Sequence, residues 1–131
     1  MRWSYVFLAL FVTVLFAASY VRFTAVTAAS APRPDARGPG DYPSEGGFYA
    51  VRTAGAIDKA KLEATIREEP RTIALEPGVF VSRSAIWSFP DITHVWEEGG
   101  HLHIASHLVY GRSDLGVNQR RVLRWLAASG A

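Results

Sequence analysis

Three stretches of this 131-residue chain gather side chains whose types and spacing could do chemistry. The first is Gly111-Arg112-Ser113-Asp114-Leu115-Gly116-Val117-Asn118, which runs into a helical pattern over residues 119–128. Its two glycines permit backbone shapes that other residues resist, so the chain can turn here from strand to helix. Asp114 or Asn118 can cap the free N–H groups of the helix start, and Arg112 can pair with Asp114 or with Asp91. That structural reading accounts for every polar residue in the stretch. A sharper one makes Arg112, Ser113 and Asn118, with Asp114 and Asp91 beside them, a small ligand-binding corner for an anion at a helix N-terminus. A serine hydrolase is excluded by spacing. A nucleophile elbow needs Gly-x-Ser-x-Gly, whereas two residues separate Ser113 from Gly116.

The second stretch holds histidines. His101, His103 and His107 alternate with Leu102, Ile104 and Leu108, so a period of two puts all three on one face of a strand. His94 lies on the preceding strand. A loop of Gly99-Gly100 and a longer one over residues 97–100 both leave it on that same face, and the longer one sets it opposite His103. Imidazoles across a strand pair could ligate zinc or copper. The alternative is a solvated polar face behind a Leu102/Ile104 core face. The third stretch is aromatic: Trp87 and Phe89 are expected to pack between sheet and helix, with Asp91 capping the turn after Pro90. The acid pairs Glu68/Glu69 and Glu97/Glu98 sit at element ends and point apart, which makes them poor acid–base pairs.

The octapeptide, together with Ser84-Ala85-Ile86-Trp87-Ser88-Phe89-Pro90-Asp91, resembles the domain-of-unknown-function (DUF) family 1499. That family pairs an aromatic-plus-Phe-Pro-Asp turn with a Gly-Arg-Ser-Asp-Leu-Gly-x-Asn signature before a terminal helix. The resemblance spans roughly residues 47–128. It implies an N-terminally anchored or exported protein, and it brings no biochemical activity and no requirement for histidines.

Fourteen basic residues against twelve acidic ones leave the charge nearly balanced, with nothing to favour nucleic acid. The absence of cysteine excludes disulfides, thiolate metal sites and a Cys nucleophile. No phosphate loop or dinucleotide fingerprint occurs, and no cofactor is implied.

Residues 4–21 carry no charge, are rich in Val, Leu, Phe and Ala, and are flanked by Arg2 and Arg22, with Trp3, Tyr5 and Tyr20 near the ends. At helical rise this run is about 27 Å long, close to a hydrocarbon core of about 30 Å. Residues 1–23 are therefore read as an uncleaved membrane anchor, although Ala29-Ser30-Ala31 offers a small-x-small cleavage site for the signal-peptide alternative. Positive charges alone would place the domain in the cytoplasm, while the short charged start and the resemblance favour the outer side. Residues 24–46, with Pro32, Pro34, Pro39 and Pro43, read as a mobile, semi-extended tether.

Residues 47–131 hold the folded part. Strands are expected at 48–52, 71–76, 79–87, 91–97 and 101–110. Asp58 is placed to cap a helix over 59–69 with a Glu63–Arg67 pair, and Val122, Trp125, Leu126 and Ser129 form the stripe of the last helix. The order β-α-β-β-β-β-α implies an α+β domain: an antiparallel sheet of about five strands, meandering, with two helices packed on one face. The function this supports is a membrane-tethered, extracytoplasmic, non-enzymatic binding or structural domain, whose partner is a small ligand or an envelope protein. Two further classes stay open: a metal-binding domain on the histidine face, and an enzyme centred on the octapeptide.

Overall fold

The computed structural model describes residues Arg2–Gly130. The apolar N-terminal run is one helix, α1 (Arg2–Phe23), with none of its residues buried and a mean hydropathy of 2.1 over its most apolar window. It is long and apolar enough to cross a membrane. After a 3-10 turn at Ala28–Ser30 come β1 (Gly40–Ser44), β2 (Gly47–Thr53), α2 (Lys59–Glu68), β3 (Thr72–Glu76), β4 (Val79–Arg83), β5 (Pro90–Glu98), β6 (His101–Leu108) and α3 (Val117–Ala128).

The domain is α+β, as expected, and all six strands join one antiparallel sheet in the order β1-β2-β6-β5-β4-β3. One strand more than expected is present because Gly40–Ser44 pairs along β2, with Tyr42 opposite Tyr49. The tether reading is thereby corrected. A proline-rich segment cannot build a core of its own, but Pro43 is tolerated on the outermost strand, where one N–H edge needs no partner. Four strands meander from β3 to β6, whereas β2 lies beside β6, so α2 carries the chain across to the far edge of the sheet.

Local chemistry sets the element ends. Asp58 Oδ1 accepts from Lys61 N–H at 3.1 Å and caps α2. Glu63 bonds Lys59 at 3.1 Å rather than the expected Arg67, whose guanidinium lies over the Phe80 ring. Strand β4 stops at Arg83, short of the expected residue 87, because residues 84–89 form a separate loop closed by Ser84 N–H donating to Phe89 O.

Period two divides the sheet into two faces. Phe48, Ala50, Phe80, Val95, Leu102 and Ile104 point at the helices and pack with Leu62 and Ile66 of α2 and with Val122, Trp125 and Leu126 of α3. All four residues of the expected α3 stripe are buried, Ser129 included. Trp125 Nε1 donates to Glu69 Oε2 at 3.0 Å, and Arg124 grips both oxygens of the same carboxylate at 2.9 and 2.8 Å. The end of α2 is thus tied to α3.

The Arg124 hydrogen bonds, more than any other cause, hold the Glu69 carboxyl below its ordinary value of 4.5. A depressed carboxyl pKa contributes stability that is present above the unfolded value and lost as pH falls through the folded one. Glu69→Gln is therefore expected to cost stability at neutral pH, with the difference from wild type shrinking once pH drops below about 4.5. Denaturation midpoints of the two proteins across pH 3 to 7 check this. A pH-independent difference would contradict it.

A strap over the second sheet face is the candidate functional site

The face away from the helices carries Tyr49, Val51, Val79, Val81, Ile92, Trp96 and Ala105, all buried, together with the histidines. It is covered by chain rather than by water. Residues 31–38 cross it as a strap, with Ala31 buried against Val79, Val81 and Ile92. His94 Nε2–H donates to Ala31 O at 2.6 Å, and Arg37 N–H donates to the Tyr49 hydroxyl at 3.1 Å. The Arg33 guanidinium lies 5.1 Å from the Trp96 ring centre and that of Arg37 lies 4.8 Å from Tyr42, while the Tyr42 hydroxyl donates to Gly38 O at 2.7 Å. Prolines at 32 and 34 restrict the free chain, so these few contacts have less entropy to oppose.

Between strap and sheet lies a cavity of about 420 Å³, bounded by Pro32, Arg37, Tyr42, Tyr49, His94 and His107 among others. One aromatic of its wall, Tyr49, is backed by two rings that lie outside the cavity: Tyr49, Trp96 and His103 stack, with ring centres 5.7 Å apart for Tyr49–Trp96 and 4.9 Å for Trp96–His103. His103 Nε2 faces Glu98 O, which can only accept, so its proton sits on Nε2 and Nδ1 accepts from the Tyr49 hydroxyl at 2.6 Å. Burial pushes the Tyr49 phenol above its ordinary 10.0. By the same logic His107 Nδ1–H donates to Leu108 O at 2.7 Å, leaving Nε2 as an acceptor at the cavity.

The histidines do share one face, as expected, but His94 stands opposite Ala105 and His103 opposite Trp96, because the turn is the two-residue one. Both His103 nitrogens are occupied within the fold, and Nε2 of His94 is held by the strap. Among the described residues no three His, Asp or Glu side chains converge on a point where a metal ion could sit. The expected solvated face is corrected at its centre, where His94 and His103 are buried beneath the strap and the stacked rings, while His101 is half-buried and His107 exposed.

The octapeptide is a helix start. Asp114 Oδ1 accepts from Gly116 N–H at 2.9 Å and Oδ2 from Asn118 N–H at 3.0 Å, so one carboxylate satisfies two free donors of α3. Gly116 provides the left-handed conformation (φ 77°) that aims the helix. Asn118 is fully buried and is a strut rather than a cap: Ser106 Oγ–H donates to its Oδ1 at 2.7 Å, and Thr93 Oγ1–H donates to Ser106 at 2.9 Å. Its Nδ2 lies near the Asp91 carboxylate without reaching hydrogen-bond geometry. Arg112 pairs with Glu45 at 3.1 Å, not with Asp114 or Asp91, and its side chain is 90% exposed. Ser113 Oγ accepts from Leu115 N–H at 3.3 Å.

Asp91 lies within β5 rather than at a turn and meets Arg121 at 3.4 Å. Burial chiefly raises its carboxyl above the ordinary 3.8, against the pull of Arg121 and the Asn118 side chain. Three of the five residues of the expected corner do come together, with Asp114 bonding the Asn118 N–H and Asp91 lying beside the Asn118 side chain, but they are engaged with one another and with Arg121, while Arg112 and Ser113 point to solvent. Asp114→Ala should cost about 2 kcal/mol of stability, the upper end of the range for helix caps, while Arg112→Ala changes it by less than about 0.5 kcal/mol. Thermal melts of the two variants check this, and equal losses would contradict it.

Comparison with family models, with curated proteins and with solved structures gave no significant match. The cavity residues that the sequence reading missed are Arg37, Tyr42 and Tyr49. The signal that could have found them is parity: Tyr49 and Val51 on β2, and Trp96 on β5, share their face with the histidines.

Proposed function

We propose that this chain is a membrane-tethered, non-enzymatic binding module that takes a small, largely apolar ligand under the strap. The observation that carries the reading is the cavity itself. Its volume of about 420 Å³ falls in the range of small-molecule sites, about 300–1,000 Å³. Tyr49 in its wall is held by Arg37 N–H and by His103 behind it, so little ordering cost attends binding against that ring. Two groups of its lining keep polar capacity. The Arg37 guanidinium, which lies over the Tyr42 ring, makes no ion pair among the described residues, and His107 Nε2 is an acceptor. They suit a ligand with an apolar body and an anionic or hydrogen-bonding head.

A hydrolytic reading has no support from the serine in the wall. The Ser106 hydroxyl is given to Asn118 rather than to a base. The two motifs support membership of DUF family 1499, and the tether and an outer-side domain accord with that resemblance. In this reading the octapeptide is the hinge that fixes α3.

Amide hydrogen exchange of the full chain in lipid nanodiscs, with and without a small-molecule extract of its own membrane, tests the site. Protection is expected in residues 31–38, 42–49 and 105–107, and none in 111–118. The reverse pattern would move the site to the octapeptide. The side of the membrane is tested with Asp35→Cys, the sole thiol in a chain that has none of its own. An impermeant maleimide should label it in intact cells.

A further inference from the structure

We propose that the two loops over residues 84–89 and 109–116 form a lipid-docking surface that seats the domain on the headgroup layer of the membrane α1 crosses. The proposal rests on the reading of α1 as a membrane anchor.

Position comes first. Arg83 Nη1 donates to Val21 O at 3.2 Å and to Ser88 O at 2.9 Å, and Nη2 reaches Thr24 O at 3.5 Å, so the first loop is bonded to the last turn of α1. The second loop meets the same turn through Tyr110, whose ring centre lies 6.4 Å from that of Tyr20. The uncharged run of α1 ends at Val21 and the helix itself at Phe23. Both loops therefore stand at the level where the helix leaves the hydrocarbon.

Chemistry follows. Trp87 and Phe89, expected between sheet and helix, are instead 49% and 44% exposed, beside Ile86 at 79%. Leu115 is 83% exposed, and Val117 next to it is exposed at the start of α3. Outside α1, the other large apolar side chains exposed among the described residues are Ile73 and Leu123. Single exposed apolar residues are ordinary, but a cluster at the mouth of an apolar helix is placed where bilayer interfaces take up Trp, Phe and Leu.

The loops are held in this presentation. Ser88, between Trp87 and Phe89, has φ 57°, and Leu115 has φ 54°, in the left-handed region that residues with a Cβ avoid. The Leu115 N–H is bonded by Ser113 Oγ and its carbonyl accepts from Arg120 Nη1 at 3.2 Å, so the leucine is fixed outward rather than free to collapse. Arg22 follows the uncharged run of α1, Arg112 lies in the second loop and Arg120 bonds it, while the acids there are engaged, Glu45 with Arg112 and Asp114 with the N–H groups of Gly116 and Asn118. A positive rim around an apolar tip suits anionic headgroups.

The test uses the full chain, reconstituted in vesicles of phosphatidylcholine with a minority of phosphatidylglycerol. Single cysteines at Ile86, Leu115, Glu97 (at the far end of β5) and Val12 (in α1) carry a nitroxide spin label. Relaxation by oxygen is compared with relaxation by a water-soluble nickel chelate. The proposal expects high oxygen and low nickel contact at 86 and 115, as at 12, and the opposite at 97. Labels at 86 and 115 that match 97, with 12 still in lipid, would overturn the docking while leaving the tether. Labels at 86 and 115 shielded from both reagents would indicate a protein partner and overturn it too. A water-exposed label at 12 would overturn the tether and the docking together.

Discussion

Trp125→Ala is expected to lower the stability of the domain by about 3–5 kcal/mol, the range for deleting a buried tryptophan. Trp125 is fully buried at the centre of the helix-side core, touching both helices and the sheet. Its loss leaves a cavity that rigid neighbours such as Phe80 cannot fill, and it removes one donor from the Glu69 carboxylate. Because α3 is aimed by the octapeptide and anchored by this ring, the variant should also raise amide exchange along the whole helix. Leu123→Ala on the same helix, at a half-exposed position, is the control and should change stability by less than about 1 kcal/mol. Urea denaturation in mild detergent reads both. A loss at Trp125 no larger than that at Leu123 would mean that α3 is not a structural element of the core.

Gly47→Ala should be nearly as severe, at about 3 kcal/mol, the upper end for overpacking. A methyl group at this position would sit 2.4 Å from Ser106 O and 2.8 Å from the His107 ring. The first obstacle is backbone in the central β2–β6 pair, which cannot rotate away. The strands must separate, and with them Tyr49 and His107 leave their places in the cavity wall. Both stability and ligand retention are therefore expected to fall. Gly99→Ala is a useful contrast: a Cβ there meets nothing, and only the left-handed backbone (φ 60°) opposes it, at a cost of about 1 kcal/mol.

Much of the fold was legible from periodicity. The α3 stripe, the Asp58 cap and the antiparallel meander of β3 to β6 follow from local rules, whereas the placement of β2 beside β6 does not. The candidate site was less so, for physical reasons. Histidine and tyrosine have polar names, so alternation in β6 suggested water on one side, yet rings stack and bury well once their nitrogens and hydroxyls are bonded, as Tyr49 and His103 show. The strap was hidden because Ala-Pro composition signals a chain that cannot fold alone. It says nothing of a chain that lies down on a face already built. Trp87 and Phe89 misled in the opposite way: large aromatics are usually core, and these stand at the end of the sheet beside α1.

The measurement that bears most directly on the account is native mass spectrometry of the full chain, extracted in mild detergent from its own membrane. Wild type, Ala105→Phe and Arg112→Ala would be compared. Ala105 is a buried residue of the cavity wall, where a phenyl ring takes the space of a ligand, whereas Arg112 is an exposed residue of the octapeptide. The account predicts a co-purifying small-molecule adduct on wild type and on Arg112→Ala, absent from Ala105→Phe. An adduct that survives Ala105→Phe and disappears with Arg112→Ala would contradict it, and would place binding at the loop before α3 instead of under the strap.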